Sequence, residues 1–299
     1  MKKNRLAVAS LLLSGVLLLS GCGEKKSTFA YPEDYQRVAA VKSPVITEST
    51  EAGNSGEVKL ESGDTYAIIS VKDYGDIKVK LYPDEAPYAV QNFIDLALAG
   101  TYEGRTFHRV ISGFMAQGGS ANGKGSGGDS FEGGAFKNEI NTSLRHYYGA
   151  LCYASAMGDM SDQFYIVNNK EANEGLSELY TQYAEYNKYM LGEYESMKEM
   201  YAGDEATLSQ IKLFTDFYSS SVDGAEAMKN TITDAVTEKY KKGGTPSLDG
   251  GYTVFGQTVE GFEVLDKISS VETVMGPDGK MSSPVEDIII SSVTIHTAE

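Results

Sequence analysis

The hydrophobic period of this chain changes twice, and that double change limits its folds more than any other feature. Between Ala67 and Tyr82, Ile77, Val79 and Leu81 alternate with Lys78, Lys80 and Tyr82, the pattern of half-buried strands, and Asp73-Tyr74-Gly75-Asp76 predicts the turn of a hairpin. A helix follows: Pro87 opens it, Val90, Phe93, Ile94 and Ala97 form one apolar face, and Gly100 stops it. Further strands are predicted at Thr106–Ile111, Leu151–Ser155, Gln163–Val167, Leu248–Val259 and Ile288–Ile295. From about Lys170 to Lys242 the period becomes helical. Leu179, Tyr183, Tyr186, Met190, Tyr194, Met197 and Tyr201 step by four and three, and read as a packing seam. Shorter patterns at Ile211, Phe214, Tyr218 and at Met228, Ile232, Val236 predict two more helices, punctuated by Gly203 and Gly224. Many short strands on both sides of a helical stretch imply a mainly β, closed antiparallel barrel with an α-helical lobe inserted in its middle.

The chain begins with an address. Met1–Arg5 holds three basic residues, Leu6–Ser20 is almost wholly apolar, and Leu19-Ser20-Gly21-Cys22 ends the run. About 15 apolar residues reach only about 22 Å as a helix, short of the roughly 30 Å hydrocarbon core, so this is a signal peptide and not a span. Its last four residues resemble the lipobox of bacterial lipoproteins, which implies a diacylated Cys22 and a lipid-anchored protein on the extracytoplasmic face of the cell membrane. The polar residues up to position 58 then read as a flexible tether. Cys152, the other cysteine, sits in an apolar run and reads as a buried free thiol.

Several function classes fall away on composition. A formal charge of -16 spread over 299 residues argues against nucleic acid. Tryptophan is absent, so nothing signals a glycan site. Gly118-(four residues)-Gly123-Lys124 partly fits a phosphate cradle, but Gly125 lacks the hydroxyl needed next and no helix follows. His108, His146 and His296 are scattered without a ligand spacing, so no metal and no cofactor is expected.

Three ordered segments carry a resemblance. Phe107-His-Arg-Val-Ile-Ser-Gly-Phe-Met-Ala-Gln-Gly-Gly119, Ser161-Asp-Gln-Phe-Tyr-Ile-Val167 and Leu248-Asp-Gly-Gly-Tyr-Thr-Val-Phe-Gly256 resemble the signature segments of cyclophilins, the peptidyl-prolyl cis-trans isomerases. The resemblance implies an eight-stranded barrel capped by two helices with a proline-binding groove on its outer wall. It implies Arg109 and Gln117 as catalytic residues, with Phe114, Met115, Tyr165 and Leu248 around the proline ring. Gln117 and Gln163 would also hold the peptide backbone, Ala154 and Ser155 would pair with the substrate chain, and Tyr252 completes the set. Ser155, Tyr165 and Tyr252 stand where many members have Asn, Phe and His. Ser247 replaces a Trp that contacts cyclosporin in sensitive members, so the resemblance leaves binding of that drug open.

The division expected is then a signal peptide at 1–21, a lipidated Cys22 and tether at 22–58, an isomerase domain formed by 59–168 and 245–299, and a helical insertion at 169–244 dispensable for chemistry. The expected function is isomerisation of X-Pro bonds in secreted or surface proteins, assisting their folding outside the cytoplasm, with proline-containing segments as partners. The alternatives are a proline-peptide-binding lipoprotein or chaperone with residual isomerase activity, and a solute-binding lipoprotein, which would need β-α repeats that are missing here.

Overall fold

The computed structural model describes residues 26–299; the predicted signal segment and Cys22 lie outside the described residues. The first half runs β1 (Val45–Thr47), β2 (Thr65–Val71), β3 (Gly75–Leu81), α1 (Pro87–Leu98), β4 (Phe107–Ile111), β5 (Met115–Gly118), β6 (Glu139–Asn141), β7 (Ala150–Ala156) and β8 (Asp159–Val167). Three helices interrupt it, α2 (Leu176–Met200), α3 (Glu205–Asn230) and α4 (Asp234–Tyr240). The chain closes with β9 (Val254–Glu260), α5 (Phe262–Ser269), β10 (Thr273–Met275), β11 (Met281–Pro284) and β12 (Ile290–Thr297).

Eight strands form one antiparallel sheet in the order β12-β2-β3-β9-β7-β8-β5-β4. It curls until its edges meet: Phe107 N donates to Ile288 O at 2.9 Å, and Thr106 bridges Ile289. Alternation along each strand divides the residues between two faces. Val110, Ala116, Ile166 and Leu151 point inward with Phe93, Phe164 and Phe255, and all are at most 1% exposed. Met115, Tyr165, Cys152, Val167 and Val254 form a separate cluster on the outer wall. Helices α1 and α5 contribute Phe93, Ile94, Val264, Leu265 and Ile268 to the inner cluster. Pro87 sits at the start of α1, and the carboxylate of Glu139 accepts from Tyr88 N at 3.1 Å and Ala89 N at 2.7 Å, so β6 supplies the helix with its anion.

The stretch expected to be a tether is held to the domain from Ser27 onward, whose Oγ accepts from Ile295 N at 3.0 Å. Gln91 Oε1 accepts from Val38 N at 2.8 Å while its Nε2 donates to Val38 O at 2.9 Å, and Arg37 pairs with Asp95. Strand β1 lies parallel to β6, and Asn54 brackets Arg145 through both backbone groups. Its polar composition hid scattered apolar residues, Phe29, Tyr31, Val38 and Val41, that pack on the barrel.

The inserted lobe also departs from the expected pattern. Gly203 lies in the turn between α2 and α3, but Gly224 is inside α3, which runs unbroken from Glu205 to Asn230. Tyr194 of the predicted seam stacks on Phe214 at 4.5 Å, whereas Tyr186, Met197 and Tyr201 are exposed. The deeply buried residues of α2 are Leu176, Tyr180 and Ala184, one turn apart along a neighbouring face. The strand predicted from Leu248 starts only at Val254, because Pro246–Leu248 makes a 3₁₀ turn and Gly250, at φ 77°, reverses the chain.

Gly224 is needed for contact, not for breaking the helix. A Cβ there would lie 2.0 Å from Gly250 O, so two backbones touch where the lobe meets the barrel. Propensity alone would make Gly224→Ala stabilising by up to about 1 kcal/mol. We expect the reverse, a loss of about 1–3 kcal/mol from overpacking, read as a lowered midpoint in urea denaturation.

Candidate active site

The outer wall is built by register. Arg109 pairs with Gln117 across β4 and β5, Gln117 with Tyr165 across β5 and β8, and Tyr165 with Cys152 across β8 and β7. Directly opposed residues share a face, so these four make one row. Strict alternation from the inward Phe107 would send Arg109 inward too. A bulge between Phe107 and Arg109 prevents this: Phe107 and Val110 both face the core, and Arg109 emerges on the outer wall.

A four-residue turn then aims the next side chains. Phe114 N donates to Ile111 O at 3.2 Å with Gly113 at φ 72°, a conformation that favours glycine. Asn168, the residue directly after β8, pins this turn, its Oδ1 accepting from Phe114 N at 2.7 Å. Phe114 and Met115 are thereby set beside Arg109.

These side chains enclose a shallow groove of about 160 Å³ lined by Arg109, Phe114, Met115, Gln117, Ala154, Ser155, Tyr165, Leu248 and Tyr252. That volume is well below the roughly 300–1,000 Å³ of cofactor-sized sites and suits a single small ring. Nine of the ten residues expected from the sequence meet here. The tenth, Gln163, stands one step away and accepts from Gln117 Nε2 at 3.1 Å. Ser155 Oγ is buried and finds no hydrogen-bond partner among the described residues.

Arg109 is oriented by a residue that the sequence did not signal. Its Nε donates to Asp278 Oδ2 at 2.7 Å, leaving the terminal nitrogens toward the groove, where Nη1 lies 3.5 Å from Met115 Sδ. The guanidinium also sits 6.0 Å from the Phe114 ring centroid. Asp278 belongs to the turn between β10 and β11 and is itself held, its Oδ1 accepting from Ser282 Oγ at 2.7 Å and Lys280 N at 3.1 Å. Partial burial would raise its pKa, but the hydrogen bonds from Arg109, Ser282 and Lys280 bring it down to about 2. The separation of 169 residues between the partners leaves no sequence pattern to find.

Behind the groove lies a second set that sequence reasoning passed over. Tyr165 OH bonds His146 Nε2 at 2.8 Å, and His146 Nδ1 bonds Asp249 Oδ1 at 2.7 Å. His146 and Asp249 are completely buried. Asp249 did stand inside the Leu248–Gly256 segment singled out above, directly after a groove residue, and that adjacency was the available signal.

The sheet curled on itself, with its groove outside the barrel, defines the chain as a cyclophilin-fold protein. A crystal structure of a cyclophilin type peptidyl-prolyl cis-trans isomerase from Cryptosporidium parvum matches it with a TM-score of 0.50 and 23% identity, over 79% of this chain and 99% of that one, a likeness of fold. A provisionally named peptidyl-prolyl cis-trans isomerase of Staphylococcus aureus (strain USA300) is 35% identical over 223 residues, 74% of this chain and 87% of the relative. A namesake from Staphylococcus epidermidis (strain ATCC 35984) is 34% identical over the same shares. The family model for cyclophilin type peptidyl-prolyl cis-trans isomerase/CLD matches residues 66–295. The chain belongs to the cyclophilin-type peptidyl-prolyl cis-trans isomerase family, and the family makes it an isomerase.

The groups with shifted pKa values beside the groove move away from neutrality. Burial, with the charge of Arg109, pushes His108 down to about 4, and burial pushes Tyr165 and Tyr252 above the ordinary phenol value. Asp278, with its pKa depressed, keeps the ion pair with Arg109 intact above the ordinary aspartate value near 4 and loses it only as pH falls toward 2. We expect kcat/KM to be nearly flat from about pH 6 to 9 and to lose the contribution of this pair only as pH falls toward 2. A pH series of isomerisation rates checks this, and an inflection near neutrality would contradict it.

Proposed function

We propose that the chain isomerises X-Pro bonds in secreted or surface proteins while anchored through a lipid on Cys22. Arg109 and Gln117 would act as the catalytic residues and the outer groove would bind the proline. The observation that carries the site assignment is Arg109 held through Nε by Asp278, with its remaining donors beside an apolar groove the size of one ring.

Rotation about an X-Pro bond is slow because resonance gives the C–N bond partial double-bond character, with a barrier of about 18–20 kcal/mol. A donor aimed at the prolyl nitrogen favours the twisted, pyramidal nitrogen over the planar one, so it binds the transition state better than the ground state. The guanidinium remains charged at any working pH and presents a planar fork. One charge-assisted hydrogen bond supplies only about 1.5–3 kcal/mol. The rest must come from position and exclusion of water: Phe114, Met115, Tyr165, Leu248 and Tyr252 hold the ring still while the chain on the other side of the bond turns. Gln117, steadied by Gln163, and Ala154 with the Ser155 hydroxyl would hold the peptide backbone. No covalent step is required.

A second reading, a proline-peptide-binding chaperone with residual activity, draws support from the exposed Tyr186, Tyr189, Met200 and Tyr201 along the lobe. The two readings separate on rate. Arg109→Ala should lower kcat/KM by about a hundredfold or more in a protease-coupled assay, with an unchanged circular dichroism spectrum, because it removes a charged donor from a water-poor site. Arg109→Lys should recover little, since the ammonium lacks the fork. A folded Arg109→Ala protein with near-normal activity would sink the assignment. The anchor has its own test: Cys22→Ser should move the protein from the membrane fraction to the soluble one or leave the precursor uncleaved, and normal processing with full membrane retention would contradict it.

A further inference from the structure

The inserted lobe reaches the back of the groove through a buried polar cluster. Asp249 Oδ2 accepts from Tyr180 OH of α2 at 2.6 Å and from Tyr240 OH of α4. Its Oδ1 takes His146 Nδ1 at 2.7 Å and His146 N at 2.8 Å. Arg145, completely buried, donates to Tyr180 OH at 3.0 Å, to Met228 O at 3.0 Å and to Thr231 Oγ1 at 2.9 Å, all groups of the lobe. Burial alone would raise the pKa of Asp249, but the hydrogen bond and charge of His146, the charge of Arg145 and the Tyr180 phenol hold it below the ordinary carboxylate range. The carboxylate is thus ionised and accepts from His146 Nδ1, while the other ring nitrogen, Nε2, lies 2.8 Å from the Tyr165 hydroxyl.

Both ends of this cluster touch the groove. Tyr165 is one of its walls. Leu248, another wall, lies between Asp249 and Ser247, and the 3₁₀ turn that holds it packs against α2. Gly224 of α3 rests against Gly250 in the same turn. Two walls of the groove are therefore linked to phenols that the insertion supplies, and removing the lobe, expected above to be dispensable, would take from Asp249 its Tyr180 and Tyr240 donors and from Arg145 its bonds to Tyr180, Met228 and Thr231.

We propose that Tyr180 and Tyr240 are positioning residues for the substrate groove, acting through Asp249 on Leu248 and through His146 on Tyr165. The inference rests on the isomerase reading and adds the insertion to that site. Tyr180→Phe removes one hydroxyl and keeps the ring packing. It should raise KM for an Ala-Pro-containing peptide by about threefold or more, with kcat within about twofold, because a wall that no longer holds its place weakens ground-state and transition-state binding alike. Tyr240→Phe should act in the same direction. In a Tyr165→Phe background, where the link to His146 is already cut, the effect of Tyr180→Phe should shrink, a non-additivity that general destabilisation would not produce. A third readout needs no substrate: the labelled methyl resonance of Met115, in the groove, should shift in Tyr180→Phe.

An unchanged KM and an unchanged Met115 signal in folded Tyr180→Phe protein would overturn the proposal, as would strict additivity with Tyr165→Phe. If the double Tyr180→Phe/Tyr240→Phe protein fails to fold, the single variants decide. A wild-type protein without isomerase activity would sink the function proposed above, and the Met115 signal would then decide this one.

Discussion

Asp249 is the point on which barrel, groove and lobe all depend. A bare carboxylate taken from water into a protein interior costs several kcal/mol even after relaxation. Here each oxygen is met by two donors, from His146 on one side and from Tyr180 and Tyr240 on the other, with the Arg145 guanidinium 3.9 Å away. Those donors come from the loop before β7 and from two helices of the insertion, regions far apart in the chain. A buried charge satisfied by so many segments ties their arrangement together, because withdrawing any one removes a charge-assisted hydrogen bond that water cannot replace.

The curled sheet gives this cluster a surface to work on. Its inner face is an ordinary apolar core, with Phe93 lying 5.2 Å from Phe255 and 5.7 Å from Phe164. Its outer face would be a plain solvated wall but for one inserted residue. The bulge at His108 moves Arg109 outward, the Gly113 turn sets Phe114 and Met115 beside it, and the turn between β10 and β11 brings Asp278 to its Nε. The groove therefore owes its apolar walls to strand register and its charged donor to a break in register.

Much of this was legible in the chain. The alternating Ile77, Val79 and Leu81 gave a true strand, Pro87 opened a true helix, and the three signature segments converge on a single groove. What escaped was of one kind. A tether was expected from polar composition between positions 22 and 58, yet Tyr35, Arg37 and Val38 find side-chain partners in Gln91 and Asp95, which belong to α1 and are invisible to local composition. Gly224 was taken for a helix stop, because a sequence window cannot show that another backbone lies against it.

The sequence by itself determined most of the strands and helices, since period-two and period-3.6 burial and turn chemistry are local properties written residue by residue, and it yielded the groove residues through the resemblance of three segments to cyclophilins. Only the tertiary structure decided that Arg109 is steered by Asp278 and that the insertion stands behind Tyr165 and Leu248. Those contacts join residues 169 and 69 positions apart, as in Arg109 with Asp278 and Tyr180 with Asp249. Such pairs are selected by the mutual satisfaction of buried charges once the chain has closed, and closure is a property of the whole fold rather than of any window along it.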